Sequence, residues 1–264
     1  MNRRRPAPWL YLFGVLGWTW GLVGGVAVAG LDPFSLPATL PMVLGLLGPL
    51  IVPAVLIARG YGDPEMHPSV SEFLRRSFDP RRLAPRWFLI VLLLVGIVAA
   101  GPVLLDPAAR GQSLVEVGPG LFLLAGLAAG AVEEPGWRGY AQESLQRRMP
   151  VLRASLVIGV FWALWHLPLF FVPGTYQAGL GIGTLDFWAF LMALVAASPL
   201  YAWLYDAAGN VTFVVVLYHG LGNVARELVP DAANRLEVGV EAALALFVTL
   251  AAARWMLRRR APAH

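Results

Sequence analysis

The chain has 264 residues, of which 58% are hydrophobic and 14% are charged, with a net charge of +4 and a mean hydropathy of +0.66. A soluble domain of this length carries about a quarter charged residues, so the composition predicts a membrane protein and excludes an ordinary soluble one. The absence of cysteine excludes disulfides, a thiolate nucleophile and a thiolate metal site.

Eight segments have the roughly 20 mainly apolar residues that a spanning helix needs. The first follows Arg3, Arg4 and Arg5 and is long enough to span, so we interpret it as a retained helix rather than a signal peptide. The segments are 9–30, 39–58, 87–105, 119–141, 151–172, 185–205, 209–226 and 238–257. We therefore predict one all-α membrane domain over 1–264, with about eight transmembrane helices. Because the seventh segment is the shortest, seven spans are the alternative.

All 20 basic residues are arginines, and their distribution predicts the orientation. The outer loops contain three arginines, at positions 110, 226 and 235, and Arg138 lies at the end of a span. The other arginines all lie at the termini or in alternate loops, which indicates that both termini are cytoplasmic. Orientation in a lipid bilayer explains the positive charge better than a nucleic acid partner. The exclusive use of arginine and the compact loops favour a prokaryotic cell membrane.

The longest inner loop, 59–86, predicts a short helix on the anionic inner leaflet. Phe73, Leu74 and Phe78 alternate there with arginines, as in helices that lie in the membrane interface. We interpret His67 in this loop as an exposed histidine.

The fourth segment ends in Glu133, Glu134 and Arg138, and ionisable groups at membrane depth are costly unless they are paired, wetted or functional. The alternative is that they are solvated charges beyond a helix end. Glu134 and Arg138 have the i,i+4 spacing of an ion pair, so we predict a structural pair. Glu133 lies about 100° further round the helix and is left free to act.

Two later segments carry histidines. His166 lies in the fifth and is followed by Pro168, which interrupts helical hydrogen bonding; His219 and Asn223 lie one turn apart in the seventh. Taken singly, each could be an interhelical hydrogen-bonding group. Gly220 and Gly222 would allow another backbone to come close.

Together these residues allow two chemistries. In one, Glu133 with His166 takes a proton from the water that attacks a peptide carbonyl, and His219 with Asn223 stabilises the oxyanion. In the other, the histidines and a carboxylate bind zinc. The chain has no Gly-x-Ser-x-Gly sequence, so a serine protease is poorly supported.

The three patterns resemble the CPBP family (CAAX proteases and bacteriocin-processing proteins, also called Abi). Glu133-Glu134-x-x-x-Arg138 and His219-x-x-x-Asn223 match its first and third motifs. Trp162-x-x-x-His166 matches the second, with Trp162 in place of the usual phenylalanine, a change that we interpret as concerning the packing beside His166. The match covers about residues 120–226.

The resemblance implies an all-α intramembrane endopeptidase with a buried polar catalytic cavity that opens to the cytoplasm. Its substrate would be a membrane-associated protein or peptide. Glu133 and His166 correspond to the water-activating pair, His219 and Asn223 to the oxyanion site, and Glu134 and Arg138 to supporting positions. Members are commonly labelled metalloproteases, but the residues favour a glutamate mechanism with no cofactor, and zinc is the alternative. Eukaryotic members remove the last three residues of prenylated proteins.

Two other functions stay open at this point. A non-catalytic bacteriocin-immunity or scaffold protein would keep the polar cluster for binding, which the complete set of motif residues disfavours. A proton-coupled transporter would also bury Glu and His, but we find no internal repeat of the kind that many transporters have.

Overall fold

The computed structural model describes residues 5–105, 119–227 and 234–258, and every regular element in these ranges is helical. The α-helices are α1 (Pro8–Val28), α2 (Thr39–Leu46), α3 (Gly48–Leu56), α4 (Val70–Phe78), α5 (Pro85–Leu105), α6 (Pro119–Glu134), α7 (Glu143–Gln146), α8 (Val151–His166), α9 (Tyr176–Leu180), α10 (Leu185–Ala207), α11 (Thr212–Glu227), α12 (Asn234–Ala251) and α13 (Ala253–Met256). The predicted all-α class is confirmed.

A helix covers most of each of the eight predicted segments, but fewer are long and apolar enough to span a membrane by themselves. Within the described residues four qualify, namely α1, α5, α8 with its continuation to Phe171, and α10. The pair α2 and α3, bent by 59°, counts as a fifth if it is one span. Helix α6 has 16 residues, and α12 carries three charged side chains in 18 residues. The number eight therefore stays a prediction.

The middle of the molecule is the stretch that follows α6. Pro135 has no backbone N–H and cannot continue the regular α-helical bonding. The chain widens into a π-helix over Pro135–Gln142, in which every residue is buried. π-helical turns of this kind often occur at functional sites. This turn packs against most of the other helices, including α1, α3, α4, α8, α10 and α11.

The two described ends of the chain meet at the same end of the helix bundle. Arg148 donates a 2.9 Å hydrogen bond to the carbonyl of Pro6, and the amide of Val151 lies 3.4 Å from the carbonyl of Arg258. At the opposite end, Arg235 forms a 2.7 Å ion pair with Asp186.

The loop helix α4 and His67 differ from prediction. Phe73 of α4 is fully buried, and α4 packs on α11 and on the π-helix, so its apolar face contacts protein, not lipid. His67 is buried too, edge-on to Phe73 at 5.4 Å between ring centroids. The predicted short helix is thus present, but Phe73 faces protein, since an amphipathic helix has the same pattern whether it packs on lipid or on protein. The expectation of an exposed His67 was wrong, because Phe73 and Tyr140 of the π-helix pack against its ring.

Candidate active site

Glu133, Glu134 and Arg138 lie inside the protein, so the alternative of solvated loop charges is wrong. Glu134 and Arg138 have no solvent-exposed surface, and Glu133 is 6% exposed. The two carboxylates are the last two residues of α6, and the arginine lies in the π-helix. Buried charges of this kind are stable only when they are paired and hydrogen-bonded.

Glu134 and Arg138 form the predicted pair. Nη1 of Arg138 lies 3.2 and 3.0 Å from the two carboxylate oxygens of Glu134, and Nη2 donates to the hydroxyl of Ser198 at 3.1 Å. The guanidinium also lies over the rings of Trp162 and Tyr201, 4.8 and 4.4 Å from their centroids. Such cation–π contacts stabilise a desolvated guanidinium further.

Glu134 has a second partner that the spacing did not predict. Nδ1 of His219 lies 2.7 Å from Oε1 of Glu134. Because an ionised carboxylate only accepts hydrogen bonds, this nitrogen carries the proton. Nε2 of His219 then carries a proton only if the ring is doubly protonated. Glu134 therefore joins α6, the π-helix and α11 in one network.

Glu133 is not free. Its Oε2 accepts a 2.6 Å hydrogen bond from the indole Nε1–H of Trp162 on α8. Trp162 does pack beside His166, with 6.2 Å between the ring centroids, but it also supplies a hydrogen-bond donor that the usual phenylalanine does not have. The sequence contained the tryptophan, but the separation of 29 residues gave no sign that the two side chains meet.

His166 is fixed by the same tryptophan through the main chain. Its Nδ1 lies 2.9 Å from the carbonyl oxygen of Trp162, and since a carbonyl accepts only, Nδ1 is the donor. In the neutral ring Nε2 is then an acceptor, as a group that removes a proton from water requires. Helix α8 ends at His166 and a 3₁₀-helix, Leu167–Phe171, follows, as expected before Pro168.

Asn223 lies one turn after His219 on α11 and is half-buried. No described residue is recorded within hydrogen-bond distance of its side chain, so its assignment to the oxyanion site stays a prediction.

Glycines bring α6 and α11 together. A Cβ at Gly130 would lie 2.5 Å from the carbonyl oxygen of Val216, and one at Gly126 would lie 3.0 Å from that of Gly220. A Cβ at Gly220 would lie 2.8 Å from Cα of Leu127. The predicted close approach at Gly220 is thus confirmed, whereas the space around Gly222 is open. This contact places His219 beside Glu134.

A buried polar pair lies behind the site, and the sequence patterns did not predict it. Tyr218 on α11 donates a 3.0 Å hydrogen bond to the buried Glu241 of α12, and the Tyr218 ring packs edge-on against Tyr201 at 5.1 Å. Glu241 lies inside the eighth predicted segment and was the available sign of an acidic side chain at membrane depth.

The described residues do not offer the donor set of a zinc site. Among them, no three His, Asp or Glu side chains lie close enough together to hold a metal ion. The two histidines use Nδ1 for Trp162 and Glu134, and Glu134 is also bound to Arg138. We therefore assign no step to a metal.

Two open pockets, of about 500 Å³ and 380 Å³, lie at the end of the molecule formed by the segments around residues 30–34 and 170–179. Neither is lined by Glu133, His166, His219 or Asn223. The predicted catalytic cavity thus stays a prediction.

Comparison with known proteins gives two findings. Residues 116–225 match the sequence profile of a family described as type II CAAX prenyl endopeptidase Rce1-like. The chain is also similar to CAAX prenyl protease 2 of Methanococcus maripaludis, with 30% identity over 201 residues that cover 71% of each protein. The matched residues include all six candidate site residues.

Proposed function

Because the chain belongs to the Rce1-like CAAX prenyl endopeptidase family and is a membrane protease, we propose that it hydrolyses a peptide bond near the C-terminus of a membrane-associated protein or peptide. The observation that carries the proposal is the meeting of Glu133 and His166 on one residue. The carboxylate accepts from the Trp162 indole at 2.6 Å, and the imidazole bonds to the Trp162 carbonyl at 2.9 Å.

In the proposed reaction, Glu133 and His166 hold a water molecule. As the water oxygen bonds to the substrate carbonyl carbon, Glu133 takes one of its protons. The resulting oxyanion accepts hydrogen bonds from Asn223 and from Nε2–H of His219, which requires the doubly protonated ring beside Glu134. As the C–N bond breaks, the proton on Glu133 passes to the departing amine. The new carboxylic acid then gives up the second water proton to solvent and leaves as a carboxylate.

We further propose that the whole chain, 1–264, is one protease domain with about eight spans and a polar cavity that opens to the cytoplasm. Two observations support termini on one side of the membrane: the described ends of the chain both contact residues 148–151, and that end of the molecule holds most of the described arginines. Substrate binding from the lipid bilayer fits the relative's description as a prenyl protease.

The test is peptide cleavage by purified protein in proteoliposomes. The probe is a fluorogenic peptide whose farnesylated cysteine precedes three C-terminal residues, with its non-prenylated twin beside it. We expect wild type to cleave at least one probe, and Glu133→Gln and His166→Asn to lose at least about 100-fold in kcat, as for general acid–base groups. Glu65→Gln, outside the site, is the control. Failure of wild type on both probes, or full activity of Glu133→Gln, would contradict the proposal.

The proposed reaction needs no metal, and this is tested separately. We expect purified protein to contain no stoichiometric zinc and to cleave normally once a chelator has been added and removed by dialysis, without added metal. Dialysis matters because a chelator can also inhibit by occupying a cationic cavity. About one zinc per chain, with activity lost on stripping and regained only with metal, would overturn the assignment of Glu133, helped by His166, as the base of a metal-free reaction.

A further inference from the structure

We infer that Trp162 is a positioning residue. Its indole N–H orients the Glu133 carboxylate so that it can take a proton from the attacking water, and its carbonyl orients the His166 ring. This inference rests on the proposed function, because it assigns Trp162 a role through Glu133. It makes the departure from the usual phenylalanine a functional feature of this chain.

The first step of the argument is the range of contacts that Trp162 makes. Its indole N–H bonds to Glu133 and its carbonyl to His166. The same ring lies under the Arg138 guanidinium and edge-on to His219 at 5.5 Å between centroids. Among the described residues of α8, Trp162 is thus the one that contacts all four of these polar residues, three through its ring and His166 through its carbonyl.

The second step is that the side chain is held rigidly. Trp162 is 3% exposed, and Tyr201 packs edge-on against it at 5.4 Å. A buried indole with two torsion angles and neighbours on several sides has one accessible position. A hydrogen bond from such a donor selects one carboxylate orientation, which is what a group that must meet a reacting water needs.

The third step separates the two functions of Trp162. Substitution by phenylalanine removes the N–H donor but leaves the backbone carbonyl, so the bond to His166 stays possible. Trp162→Phe therefore tests the bond to Glu133 with the bond to His166 kept, although the smaller ring also changes the contacts with Arg138 and His219. The chain also offers a control for the loss of an indole N–H, since Trp165 is equally buried and donates a 2.7 Å hydrogen bond to Thr19, a residue outside the site. The Trp165 ring packs edge-on against His166 at 4.7 Å, so the control must keep the ring.

The experiment compares Trp162→Phe and Trp165→Phe with the peptide probes and proteoliposomes described above. We expect Trp162→Phe to lose about 10- to 100-fold in kcat with little change in KM, as for a misplaced reacting group. Because phenylalanine also changes the ring packing, each position is replaced by benzothienylalanine as well, which keeps the indole shape and lacks the N–H. At position 165 benzothienylalanine keeps the ring against His166, so we expect it to lower thermal stability and to leave kcat per folded molecule near wild type.

A second readout needs no substrate. In protein with ¹⁵N-labelled indole groups, the N–H resonance that disappears in the Trp162 variants should move in Glu133→Gln, while the resonance that disappears in the Trp165 variants should not. Loss of kcat at position 162 alone, together with this shift, supports the inference.

The inference is overturned by any of three results: wild-type kcat with benzothienylalanine at 162, equal kcat losses with benzothienylalanine at 162 and at 165, or an unmoved Trp162 resonance. If Glu133→Gln cleaves normally, the proposed function fails first and the inference fails with it. If Glu133→Gln is inactive and the Trp162 variants are not impaired, only the inference fails.

Discussion

Glu134 connects α6 to two other elements of the site. It accepts from Arg138 on the π-helix and contacts His219 on α11, and it has no exposed surface. Desolvating each of these groups alone would be costly, and together they neutralise one another. We therefore assign Glu134 and Arg138 to the support of the site.

Replacement of Arg138 by alanine should destabilise the protein by about 3–5 kcal/mol, because it leaves the Glu134 charge partly uncompensated in the interior. The folded yield and the thermal midpoint in detergent should both fall. Arg75→Ala is the matched control, since Arg75 pairs with Glu72 at 2.7 Å but is 60% exposed, and surface pairs contribute little. An Arg138→Ala protein as stable as wild type but inactive would instead place the arginine in the chemistry.

His67 should make stability fall in acid. Burial lowers its pKa from the usual 6.5 to about 4, a shift that Arg76 and Arg147 favour and Asp63 opposes. Between these pH values the unfolded chain binds a proton that the folded protein does not, so the stability present above pH 6.5 is lost as the pH falls.

The measurement is the thermal midpoint of wild type and His67→Leu at pH 7 and pH 5. Wild type should lose about 2 kcal/mol more than the variant over this interval, since one pKa unit corresponds to about 1.4 kcal/mol. Using the difference between the two proteins cancels the titration of other groups. Equal losses in both would mean that His67 is protonated in the folded state.

What the sequence predicts at this scale depends on distance along the chain. The Glu134–Arg138 pair follows from one turn of helix, and it formed as expected. The bonds of Glu133 to Trp162 and of Glu134 to His219 join different helices, 29 and 85 residues apart. Helical periodicity contains no information on which faces of two helices meet, so these bonds could not be predicted.

At the scale of elements, the contact between α6 and α11 sets the geometry of the site. Gly126 and Gly130 are four residues apart on one face of α6, the small-residue spacing that allows membrane helices to approach closely. The close approach was predicted from the glycines of α11, not from these two.

The two prolines differ in what they predict. The broken helix at Pro168 was predicted, but the π-helix that begins at Pro135 was not, because proline at a first helical position is also compatible with a regular α-helix.

Gly130→Ala tests this contact. The added methyl group would meet the backbone of α11 at Val216 and Gly220, which cannot move aside as a flexible side chain would. We expect a loss of about 1–3 kcal/mol in stability, as for overpacked cores, and lower peptidase activity because His219 moves away from Glu134. Gly96→Ala on α5 is the control, since its Cβ would meet no atom within 4 Å; equal behaviour of the two variants would contradict the role of Gly130.

At the scale of the whole molecule, the helical class and the helix positions followed from apolar segment length, whereas the number of spans did not. The three charged residues at positions 235, 237 and 241 exclude α12 from the helices that are apolar enough to span a membrane by themselves. Glu241 is nevertheless buried against Tyr218. Hydropathy averages a helix over all its faces, so it cannot distinguish a charge that faces protein from one that faces lipid.

The orientation is tested with reporter fusions after Arg5 and after Arg260. We expect both reporters to be in the cytoplasm, since the arginines gather at the end of the molecule where Pro6 and Arg258 contact the same loop. A fusion within the loop that contains Asp32 should report the opposite side. Reporters on different sides at the two ends would mean an odd number of spans.

The network around Glu134 also bears on how such proteins diverge. A relative without protease activity could lose Glu133 and still keep the Glu134–Arg138 ion pair. Arg138 and His219, in contrast, both bond to Glu134. Selection for folding alone would preserve those three, and any replacement among them would have to be simultaneous. In a lineage of inactive relatives we therefore expect Arg138, Glu134 and His219 to be retained for stability, and Glu133 to be the first of the four to be replaced.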